Sequence, residues 1–581
     1  MSVHNADIAR TFEEIADLLD IGDANPFRIR AYRNAARIIG ELQLDLSTAI
    51  SRGEDLPKLP GIGEDLSGKI REIATTGRCA LLERLRKAFP PAITELLKVP
   101  GLGPKRVKTL YHDLDVQTLE QLHRAALDRR IRSLHGFGEK TEANILEAVK
   151  VRLSKSRRFK LAVAAQYADA LAAYLRRSAG VKSVVVAGSL RRMRDTVGDI
   201  DILATADAGS DVMARFARYG EVKEVLSRGD TRSSVVLKSG IQVDVRVVPQ
   251  QSYGAALHYF TGAKAHNIAI RRLAQEKGLK LNEYGVFKVK KRVAGDTEES
   301  VFAAVGLPFI PPELREDHGE IEAARAGRLP RLVELDDLKG DLHSHTKWTD
   351  GHGTIREMAL AAKARGLGYL AITDHSRRLT VARGLDPERL RRQADEIETA
   401  AVPGIALLKG IEVDVLEDGT LDLPDSVLRE LDLVIAAVHS KFDLSRERQT
   451  ERILRALDHP LVSMLAHPVG RLIGAREPYD VDMLKVIRKA AARGCFLELN
   501  AHPERLDLLD THCRMAKDEG VLVAINSDAH SIEQFDNLKY GVGQARRGWL
   551  EKGDVANTRP LPELRALLAK KPSSRSAAPT R

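Results

Sequence analysis

Histidine and carboxylate side chains follow a series of apolar runs in the last third of the chain. Ten of the 17 histidines lie at or beyond His343, and most come just after such a run. The metal-ligand residues in this pattern are His343, His345, Asp350, His375, Glu412, His439, His467, Asp528 and His530. Neutral imidazoles with a few carboxylates suit Zn²⁺ or Mn²⁺, and nine ligands are too many for one ion. The pattern therefore predicts a centre with more than one divalent metal.

Three aspartates near the middle of the chain have the spacing of a second metal site. Asp199 and Asp201 stand two residues apart in a strand-like segment, so they project from one face of a sheet. Asp244 lies in IQVDVRVV, where apolar and polar residues alternate. Carboxylates on adjacent strands repel one another unless divalent cations neutralise them, and Mg²⁺ or Mn²⁺ prefers such oxygen ligands. Two ions roughly 3.5–4 Å apart can hold the attacking and leaving oxygens of a phosphoryl transfer.

The segment before these aspartates has residues suited to a triphosphate. Gly188 and Ser189 follow a β-branched run and let the backbone approach a phosphate group closely. Arg192 offers a fork of guanidinium donors to phosphate oxygens. Together with the aspartates, these residues predict a phosphoryl-transfer site that accepts a nucleoside triphosphate.

Three similar glycine-bearing turns separate helices in the first third of the chain. They have the form apolar-x-Gly-apolar-Gly and occupy Leu59–Gly63, Val99–Gly103 and Leu134–Gly138. The glycines of the first two turns are Gly61, Gly63, Gly101 and Gly103. Outward backbone N–H groups and the positive end of the following helix can hold a phosphate without reading the base. Lys105 and Arg106 would increase the affinity for a polyanion by releasing its counterions. The turns resemble the helix-hairpin-helix motif, which implies sequence-independent gripping of a DNA backbone.

Composition limits the class of protein. Apolar residues make up 43% and charged residues 30% of 581 residues, which excludes a disordered or membrane-embedded chain. Three cysteines without a CxxC pair exclude a disulfide framework and a cysteine zinc site, and fit a reducing cytoplasm. No signal-peptide or membrane-spanning run is present. The net charge of +10 favours a polyanionic partner, but 4% aromatic content excludes base stacking as the main contact.

The elements that must position these residues change along the chain. Short helices are predicted at Ile8–Leu19, Ala31–Leu42 and Ala92–Val99. After a helix at Leu161–Arg177, strands are predicted at Val181–Ala187, Asp199–Ala204, Ser234–Leu237 and Ile241–Val248. From Gly340 onward, apolar runs, polar loops and amphipathic helices alternate about seven times, which is typical of parallel strands with crossover helices. In a parallel barrel all strand C-termini open on one rim, where the separated ligands converge.

Four motifs in the first 320 residues resemble those of the family X DNA polymerases, the β-like nucleotidyltransferases. They are GS-x(8)-GDIDIL, VDVRVV, HYFTG and KLNEYGVF. The resemblance implies that Asp199 and Asp201 bind both metals and that Asp244 helps the catalytic metal to activate the primer 3′-hydroxyl. Ser189, Arg192 and Gly198 would then contact the incoming triphosphate. The other residues that it places near the nucleotide or the nascent base pair are Gly188, Tyr259, Phe260, Gly262, Asn267 and Arg271.

The same family implies a role for Lys69. Vertebrate members use a lysine at this position as a Schiff-base nucleophile that removes a 5′-deoxyribose phosphate. A lysine amine needs a lowered pKa to attack a sugar aldehyde at neutral pH. Asp65 replaces a neighbouring lysine of the vertebrate enzyme, and a nearby acid raises the pKa of an amine. Two interpretations stay open: a lyase nucleophile, or a helix lysine that only binds phosphate.

The nine ligands of the last third resemble the ligand set of the PHP (polymerase and histidinol phosphatase) family over about residues 338–565. This resemblance implies a distorted seven-stranded barrel with three divalent metals, Zn²⁺ and/or Mn²⁺, and Glu412 bridging two of them. Binding to such an ion brings the pKa of water down to about 7, so that the water can attack phosphorus. All nine positions are filled, and we therefore expect an active phosphoesterase.

The predicted architecture is multidomain. It combines an all-α helix-hairpin-helix region, an α+β nucleotidyltransferase palm and fingers, and a C-terminal α/β distorted (β/α)7 PHP barrel. The predicted domains are a lyase-like helical domain at 1–90, a helix-hairpin-helix subdomain at 91–155, the palm at 156–260, a nascent-pair-binding subdomain at 261–318, a linker at 319–338, the PHP domain at 339–568 and a disordered tail at 569–581.

These features predict a repair polymerase that adds dNTPs to a primer 3′ end in a short gap of nicked or gapped duplex DNA. The PHP domain would process 3′ ends by 3′→5′ exonuclease, 3′-phosphodiesterase or abasic-site cleavage. One alternative is a small-molecule phosphatase tethered to a DNA-binding module, and another is a non-catalytic scaffold that binds DNA ends. We expect a monomer in the bacterial cytoplasm, associated with the nucleoid and not with a membrane.

Overall fold

The computed structural model describes residues 3–22, 24–42, 46–52, 61–89, 93–97, 99–154, 158–207, 210–400 and 402–569. The chain divides into two compact units. The first unit comprises Met1–Phe159, Val163–Val184 and Thr196–Val247, and the second comprises Lys160–Ala162, Val185–Asp195 and Val248–Arg581. Of the tail predicted at 569–581, Ala569 ends the last helix and the rest lies outside the described residues, as do the boundaries predicted at 90–91 and 155–156.

The N-terminal region of the first unit is helical, as predicted. Its helices are α1 (Asn5–Ile21), α2 (Pro26–Glu41), α3 (Leu46–Ser51), α4 (Glu64–Thr76), α5 (Ala80–Ala88), α6 (Thr94–Leu97), α7 (Pro104–Leu114), α8 (Leu119–Leu127) and α9 (Glu139–Ser154). In α1, Ile8, Phe12 and Ile15 recur at helical spacing and are fully buried. Helix α2 begins with Pro26, and the Asn25 side chain caps its first turn by accepting the Phe27 N–H at 2.9 Å.

A five-stranded sheet follows the helical region. The elements between Phe159 and Val248 are β1 (Phe159–Lys160), α10 (Leu161–Leu175), β2 (Val181–Val186), α11 (Gly188–Arg191), β3 (Thr196–Val197), β4 (Asp199–Ala206), α12 (Val212–Ala217), β5 (Val222–Arg228), β6 (Arg232–Leu237) and β7 (Gln242–Val248). The strand order is β2-β4-β7-β6-β5, and β6 runs antiparallel to both its neighbours. Strands β4 and β7, which carry the predicted aspartates, are therefore adjacent.

The second unit contains a small mixed domain before the barrel. Its elements are α13 (Tyr253–Thr261), α14 (Lys264–Glu276), β8 (Lys280–Asn282), β9 (Gly285–Lys288), β10 (Lys291–Ala294), α15 (Glu298–Ala304) and α16 (Glu320–Arg325). Helix α16 lies inside the segment predicted as a linker. Its Ile321 and Ala324 are buried in one cluster with Phe302 and Trp549. Because these apolar side chains need cover from water, this part of the predicted linker is a packed helix.

The C-terminal part of the second unit is a seven-stranded parallel barrel with crossover helices. Its elements are β11 (Gly340–Asp341), α17 (Ile355–Ala364), β12 (Tyr369–Ile372), α18 (Pro387–Thr399), β13 (Ala406–Asp414), α19 (Asp425–Leu428), β14 (Leu433–Ala437), α20 (Arg446–Asp458), β15 (Met464–Leu465), α21 (Met483–Arg493), β16 (Phe496–Asn500), α22 (Asp510–Asp518), β17 (Val523–Asn526), α23 (Leu538–Arg547) and α24 (Leu561–Ala569). The strands pair in parallel in chain order from β11 to β17. The predicted barrel class is confirmed.

The first and last barrel strands meet at a seam. Ser344, just after β11, forms a parallel bridge with Ala529, just after β17, and the His345 N–H donates to the Ala529 carbonyl at 2.8 Å. Within the barrel wall the Leu342 N–H donates to the Asn526 side-chain oxygen at 3.1 Å. The Asn526 side chain thus replaces a backbone carbonyl as hydrogen-bond acceptor where the first and last strands meet. None of the helices in the described part of the chain is long and apolar enough to cross a bilayer.

Candidate active sites

The carboxyl ends of the barrel strands bring the nine predicted metal ligands together at one rim. Three groups have potential ligand atoms within 4.8 Å of one another: His345, Asp350, His375 and His530; His343, His345 and Asp528; and His375, Glu412 and His439. The ninth residue, His467, places its Nε2 2.8 Å from Oε1 of Glu412. His345 and His375 are each shared between two groups, so the arrangement has the chemistry of several linked cation sites.

Glu412 lies at the centre of this arrangement. Five imidazoles surround its carboxylate, with nitrogen–oxygen distances from 2.7 to 3.7 Å; they belong to His343, His345, His375, His439 and His467. The side chain is only 1% exposed. Burial raises the pKa of Glu412, but the charges of neighbouring histidines outweigh burial and hold the pKa well below its usual value. An ionised carboxylate offers two oxygens and is therefore suited to bridging two cations.

The buried polar atoms of the site fit a set of metal ligands. Burial, together with the neighbouring His530 and His375 imidazoles, lowers the pKa of His345 to about 3, so this ring is neutral as a ligand must be. Nδ1 of His345, Nδ1 of His467 and Oδ1 of Asp350 are buried and form no hydrogen bond with any described residue. Such orphaned atoms cost free energy unless they have a partner, and divalent cations are the partners that this donor set would accept.

Strand β16 supplies outer support that the sequence reasoning missed. Glu498 is fully buried, and its Oε1 lies 2.7 Å from Nδ1 of His343. Its Oε2 accepts the His467 N–H at 2.8 Å. From the same strand, the Asn500 side chain donates to Asp528 at 2.9 Å. Carboxylates and amides placed behind metal ligands fix the ring tautomer and its orientation. The signal in the sequence was an acid inside the apolar run FLELN.

Two of the predicted ligands have a strained backbone. His467 has φ +28° and Asp528 has φ +53°, in a region that side-chain-bearing residues rarely occupy. The surrounding structure holds them there: His467 by the Glu498 carboxylate, and Asp528 by the Asn500 side chain. Strain of this kind concentrates at functional sites, where it fixes a side chain in one direction.

A positive side chain also lies at the rim. Nε of Arg505, on the loop after β16, is 3.6 Å from Oδ2 of Asp528. Nη1 of the same side chain is buried without a partner among the described residues. The sequence reasoning did not single out Arg505, because one arginine in a loop carries no pattern. A guanidinium beside this carboxylate cluster could attract a phosphate group.

The three predicted aspartates lie on adjacent strands of the five-stranded sheet. Asp199 and Asp201 begin β4 and Asp244 lies on β7; all three are half-buried, and Ile200 between the first two is fully buried. The Ser234 hydroxyl donates to Asp244, and the Gln242 amide donates to the other oxygen of Asp244 at 3.2 Å. Among described residues, the groups with ligand atoms within 4.8 Å of one another do not include these aspartates.

The predicted nucleotide contacts belong to the second unit, except for Gly198. Gly188 starts α11 with φ +65°, where a side chain would be strained, and Ser189 follows it. Arg192 ends this helix, and its Nη1 donates to the Thr261 carbonyl at 2.7 Å. Its Nε donates to Glu316 at 3.0 Å.

The end of α13 forms the second part of the predicted nucleotide site. The Asn267 amide donates to the carbonyls of Tyr259 at 2.7 Å and Gly262 at 3.1 Å. A Cβ at Gly262 would lie 2.5 Å from Oδ1 of Asn267, so only glycine fits there. The Arg271 guanidinium lies 5.6 Å from the centre of the Tyr259 ring, and these residues line one pocket. The Phe260 ring packs edge-on against Tyr259 at 5.0 Å.

The hairpin glycines of the first unit have the conformation that the motif requires. Gly61 and Gly101 have φ +73° and +86°. Gly63 and Gly103 then precede α4 and α7, and a Cβ on either would meet nothing within 4 Å. The backbone at these helix starts is therefore open to a ligand. Leu59 and Pro60 of the first turn lie outside the described residues.

The two basic residues after the second hairpin differ in their surroundings. Lys105 is exposed. Nη1 of Arg106 donates to the Gly101 carbonyl at 2.7 Å, and its guanidinium lies 5.5 Å from the centre of the Phe137 ring. Arg106 therefore braces its own hairpin, which leaves Lys105 the more accessible charge.

Known families match four separate parts of this chain. A helix-hairpin-helix domain matches residues 3–79, and a SAM-like helix-hairpin-helix tandem matches 93–150. A DNA polymerase beta thumb matches 256–316, and a PHP domain matches 341–502. Over 572 residues the chain is 40% identical to DNA polymerase/3′-5′ exonuclease PolX of Bacillus subtilis, covering 97% of this chain and 99% of that protein. The chain belongs to the PolX family.

Other relatives match a smaller part of this chain. A probable phosphatase of Thermoanaerobacter sp. is 34% identical over 38% of this chain and 89% of its own length. A probable phosphatase of Acetivibrio thermocellus is 32% identical over 34% of this chain and 83% of its own length.

In this PolX chain, Lys69 lies on α4 with Asp65 as its partner. The Lys69 ammonium donates to the Asp65 carboxylate one helical turn before it. Partial burial lowers the pKa of Lys69, but the hydrogen bond to Asp65 and the charges of Tyr32 and Asp65 outweigh burial and raise it. The direction is opposite to the one that a Schiff-base nucleophile needs.

Proposed function

We propose that this chain is a DNA repair polymerase that adds dNTPs to a primer 3′ end in short gaps and removes nucleotides from 3′ ends in its barrel. The observation that carries the proposal is the presence of two complete sets of candidate ligands in one chain. This chain also aligns over 97% of its length with a DNA polymerase/3′-5′ exonuclease. A polymerase that has a nuclease on the same chain can both extend and trim one primer end.

For the polymerase reaction, Asp199, Asp201 and Asp244 would hold Mg²⁺ or Mn²⁺. When bound, such ions lower the charge repulsion between the primer 3′-oxygen and the triphosphate. The protein's own contribution is positional: Ser234 and Gln242 fix the Asp244 carboxylate by hydrogen bonds to its two oxygens.

For nucleotide binding, Gly188, Ser189, Gly198 and Arg192 would contact the triphosphate. Tyr259 and Phe260 would lie against the sugar, and Asn267 and Arg271 would line the nascent base pair. The Asn267 amide supports this assignment, because it ties the backbone of Tyr259 to that of Gly262 and so fixes the end of α13.

For DNA binding, the first two hairpins would grip the sugar-phosphate backbone. An added Cβ at Gly61, Gly63 or Gly103 would meet nothing within 4 Å, and at Gly101 it would meet only the Arg106 side chain. Lys105 adds an exposed positive charge, and Arg106 stiffens the turn. Contacts of this kind position a duplex without reading its sequence.

For the nuclease reaction, the nine rim residues would hold three divalent ions, Zn²⁺ and/or Mn²⁺. When bound, these ions supply an activated water and bind the scissile phosphate. Glu412 would bridge two of them, Glu498 would orient His343 and His467, and Arg505 would attract the phosphate. The orphaned nitrogens of His345 and His467 support this role.

A second class of substrate is a candidate for the barrel. Two relatives that align with 38% and 34% of this chain are described as probable phosphatases, so a small phosphomonoester is a second candidate substrate. DNA is favoured because the same chain carries helix-hairpin-helix domains. Abasic-site cleavage and 3′-phosphodiesterase activity belong to the same hydrolytic chemistry and are included in the test below.

Lyase activity of Lys69 is a weaker candidate, since Asp65 raises its pKa; phosphate binding by this lysine is the favoured role. We propose that the protein acts as a monomer in the bacterial cytoplasm, near the nucleoid.

The test uses the full chain and two variants. On a gapped duplex with dNTPs, Asp244→Ala should abolish nucleotide addition and retain 3′→5′ degradation of a single strand. His343→Ala should do the reverse. Each activity is measured with Mg²⁺, Mn²⁺ and Zn²⁺, alongside an abasic duplex, a 3′-blocked end and a small phosphomonoester. If both activities survive both changes, the site assignment is wrong. If the phosphomonoester is hydrolysed and no DNA end is, the alternative replaces the nuclease.

A further inference from the structure

The Arg192 guanidinium, the proposed triphosphate ligand, is already held by protein groups. Its Nε donates to Glu316 at 3.0 Å and its Nη1 to the Thr261 carbonyl at 2.7 Å. The third nitrogen, Nη2, has no acceptor among the described residues. The side chain is only 13% exposed, so these contacts are shielded from water. Two donors thus fix the plane of the guanidinium, and one remains for a ligand.

Glu316 is shared with an arginine of the PHP barrel. Nη1 of Arg547, at the end of α23, lies 3.0 Å from the same Glu316 oxygen and also donates to the Arg192 carbonyl at 3.0 Å. Nη2 of Arg547 donates to Asp510 on α22 at 2.6 Å. The Arg547 side chain is 3% exposed. Burial raises the pKa of Glu316, but Arg192 and Arg547 outweigh it and hold the pKa below its usual value, so the carboxylate stays charged.

The residues after Arg192 dock on the same barrel. Met193, with φ +55°, packs against Gly543 on α23, where an added Cβ would lie 2.4 Å from the methionine methyl group. The Arg471 side chain, after β15, donates to Asp195 at 2.9 Å and to the Leu506 carbonyl at 2.6 Å. The triphosphate segment is therefore anchored to the barrel at three points, although the barrel carries the nuclease ligands.

We propose that Glu316 and Arg547 are positioning residues for the polymerase reaction, which hold Arg192 in the orientation that receives the dNTP triphosphate. This inference rests on the proposed function, in which Arg192 contacts the triphosphate. Holding a donor fork in place before the ligand arrives reduces the ordering cost of binding. One helix of the nuclease barrel thus forms part of the polymerase's nucleotide site.

Arg546 provides a matched control on the same helix. Its Nε donates to Glu313 at 2.7 Å and its Nη1 to the Val333 carbonyl at 3.1 Å. It is therefore a neighbouring arginine with an ion pair and a carbonyl contact of similar kind, but it does not contact Arg192 or Glu316. Loss of Arg546, whose side chain is 22% exposed, tests whether loss of any paired arginine at this end of α23 affects polymerisation.

The experiment measures KM for dNTP and kcat in gap filling by the full chain, together with single-strand degradation and the thermal unfolding midpoint. Arg547→Ala should raise KM for dNTP about tenfold with kcat within about twofold, which is the size expected for one buried charged hydrogen bond. Arg547→Lys should recover part of this loss. Glu316→Gln should behave like Arg547→Ala. Arg546→Ala should leave KM unchanged, and degradation should be unchanged in all four variants.

The Arg192→Ala variant distinguishes the positioning role of Arg547 and Glu316 from the nucleotide contact of Arg192. It should raise KM for dNTP, and adding Arg547→Ala to it should raise KM no further, because both changes remove one interaction. If Arg192→Ala raises KM while Arg547→Ala and Glu316→Gln do not, the positioning role is overturned and the proposed function stands. If Arg192→Ala leaves KM unchanged, the nucleotide assignment itself is overturned. If Arg547→Ala does not fold, Glu316→Gln and Arg547→Lys decide the question by the same readouts.

Discussion

The two candidate metal sites are built in opposite ways. The barrel rim concentrates nine imidazole and carboxylate side chains, most of them buried, with further side chains behind them. The five-stranded sheet offers three half-buried aspartates, of which Asp244 has the support of Ser234 and Gln242. The barrel rim thus offers nine candidate ligands from the chain itself, whereas the sheet offers only three.

This difference follows from where each site obtains its ligands. Mg²⁺ in nucleotide-transfer sites typically uses one or two carboxylates plus substrate phosphates and keeps several waters. The sheet therefore needs to complete its coordination only when a triphosphate is present. A barrel that held its proposed ions between substrates would need more ligands and firm orientation of each. We infer that the barrel metals are resident and that the polymerase metals arrive with the nucleotide.

The strongest test of this contrast is Glu412→Gln. Because five imidazoles surround this carboxylate, removing its charge should lower 3′→5′ degradation by more than about a hundredfold, beyond the loss typical of outer residues. Gap filling should stay within about twofold of the parent chain. Elemental analysis after dialysis should show fewer bound ions. An unchanged metal content would contradict the resident-metal interpretation.

The next largest effect is expected from Glu498→Gln. Glu498 is not one of the nine predicted ligands but contacts two of them. Since this carboxylate contacts His343 and the His467 backbone, degradation should fall about 10- to 100-fold and recover partly with excess metal. Glu519→Gln, a carboxylate paired with Arg488 away from the rim, is the control. Equal loss in both variants would show a general effect on folding.

A smaller effect is expected at the sheet from Ser234→Ala. The variant removes one hydrogen bond to Asp244, so kcat for nucleotide addition should fall roughly threefold to tenfold. Degradation and bound metal should not change. A loss as large as that of Asp244→Ala would mean that the sheet site depends on its surroundings as strongly as the barrel site does.

The smallest effect concerns Lys69, which belongs to neither metal site. Asp65 raises the pKa of this lysine, so Asp65→Asn should lower it and increase the neutral amine fraction at neutral pH. Borohydride trapping on a 5′-deoxyribose phosphate end should rise about twofold to threefold, with its pH profile shifted to lower pH. Trapping that is absent in the parent chain and in Asp65→Asn alike would leave phosphate binding as the role of Lys69.

Sequence reasoning found what is periodic and missed what depends on distant partners. The nine rim residues follow from the repeated position of His, Asp and Glu near strand ends, and the aspartates follow from alternation along β4 and β7. Glu498 was missed because it lies within a buried strand whose neighbouring residues are mostly apolar. The contact between Glu316 and Arg547 spans 231 positions and carries no local signal. The packing of α16 was missed because its polar residues outweighed two buried apolar ones.

The seam between the first and last barrel strands has a consequence for folding. His343 and His345 follow β11 while Asp528 follows β17, so one group of candidate ligands spans the closure itself. An ion held by this group would link the first and last strands of the barrel wall. Ligand binding to the native state alone adds to its stability. Chelation should therefore accelerate amide hydrogen exchange first at these two edges, long before the wall between them loosens.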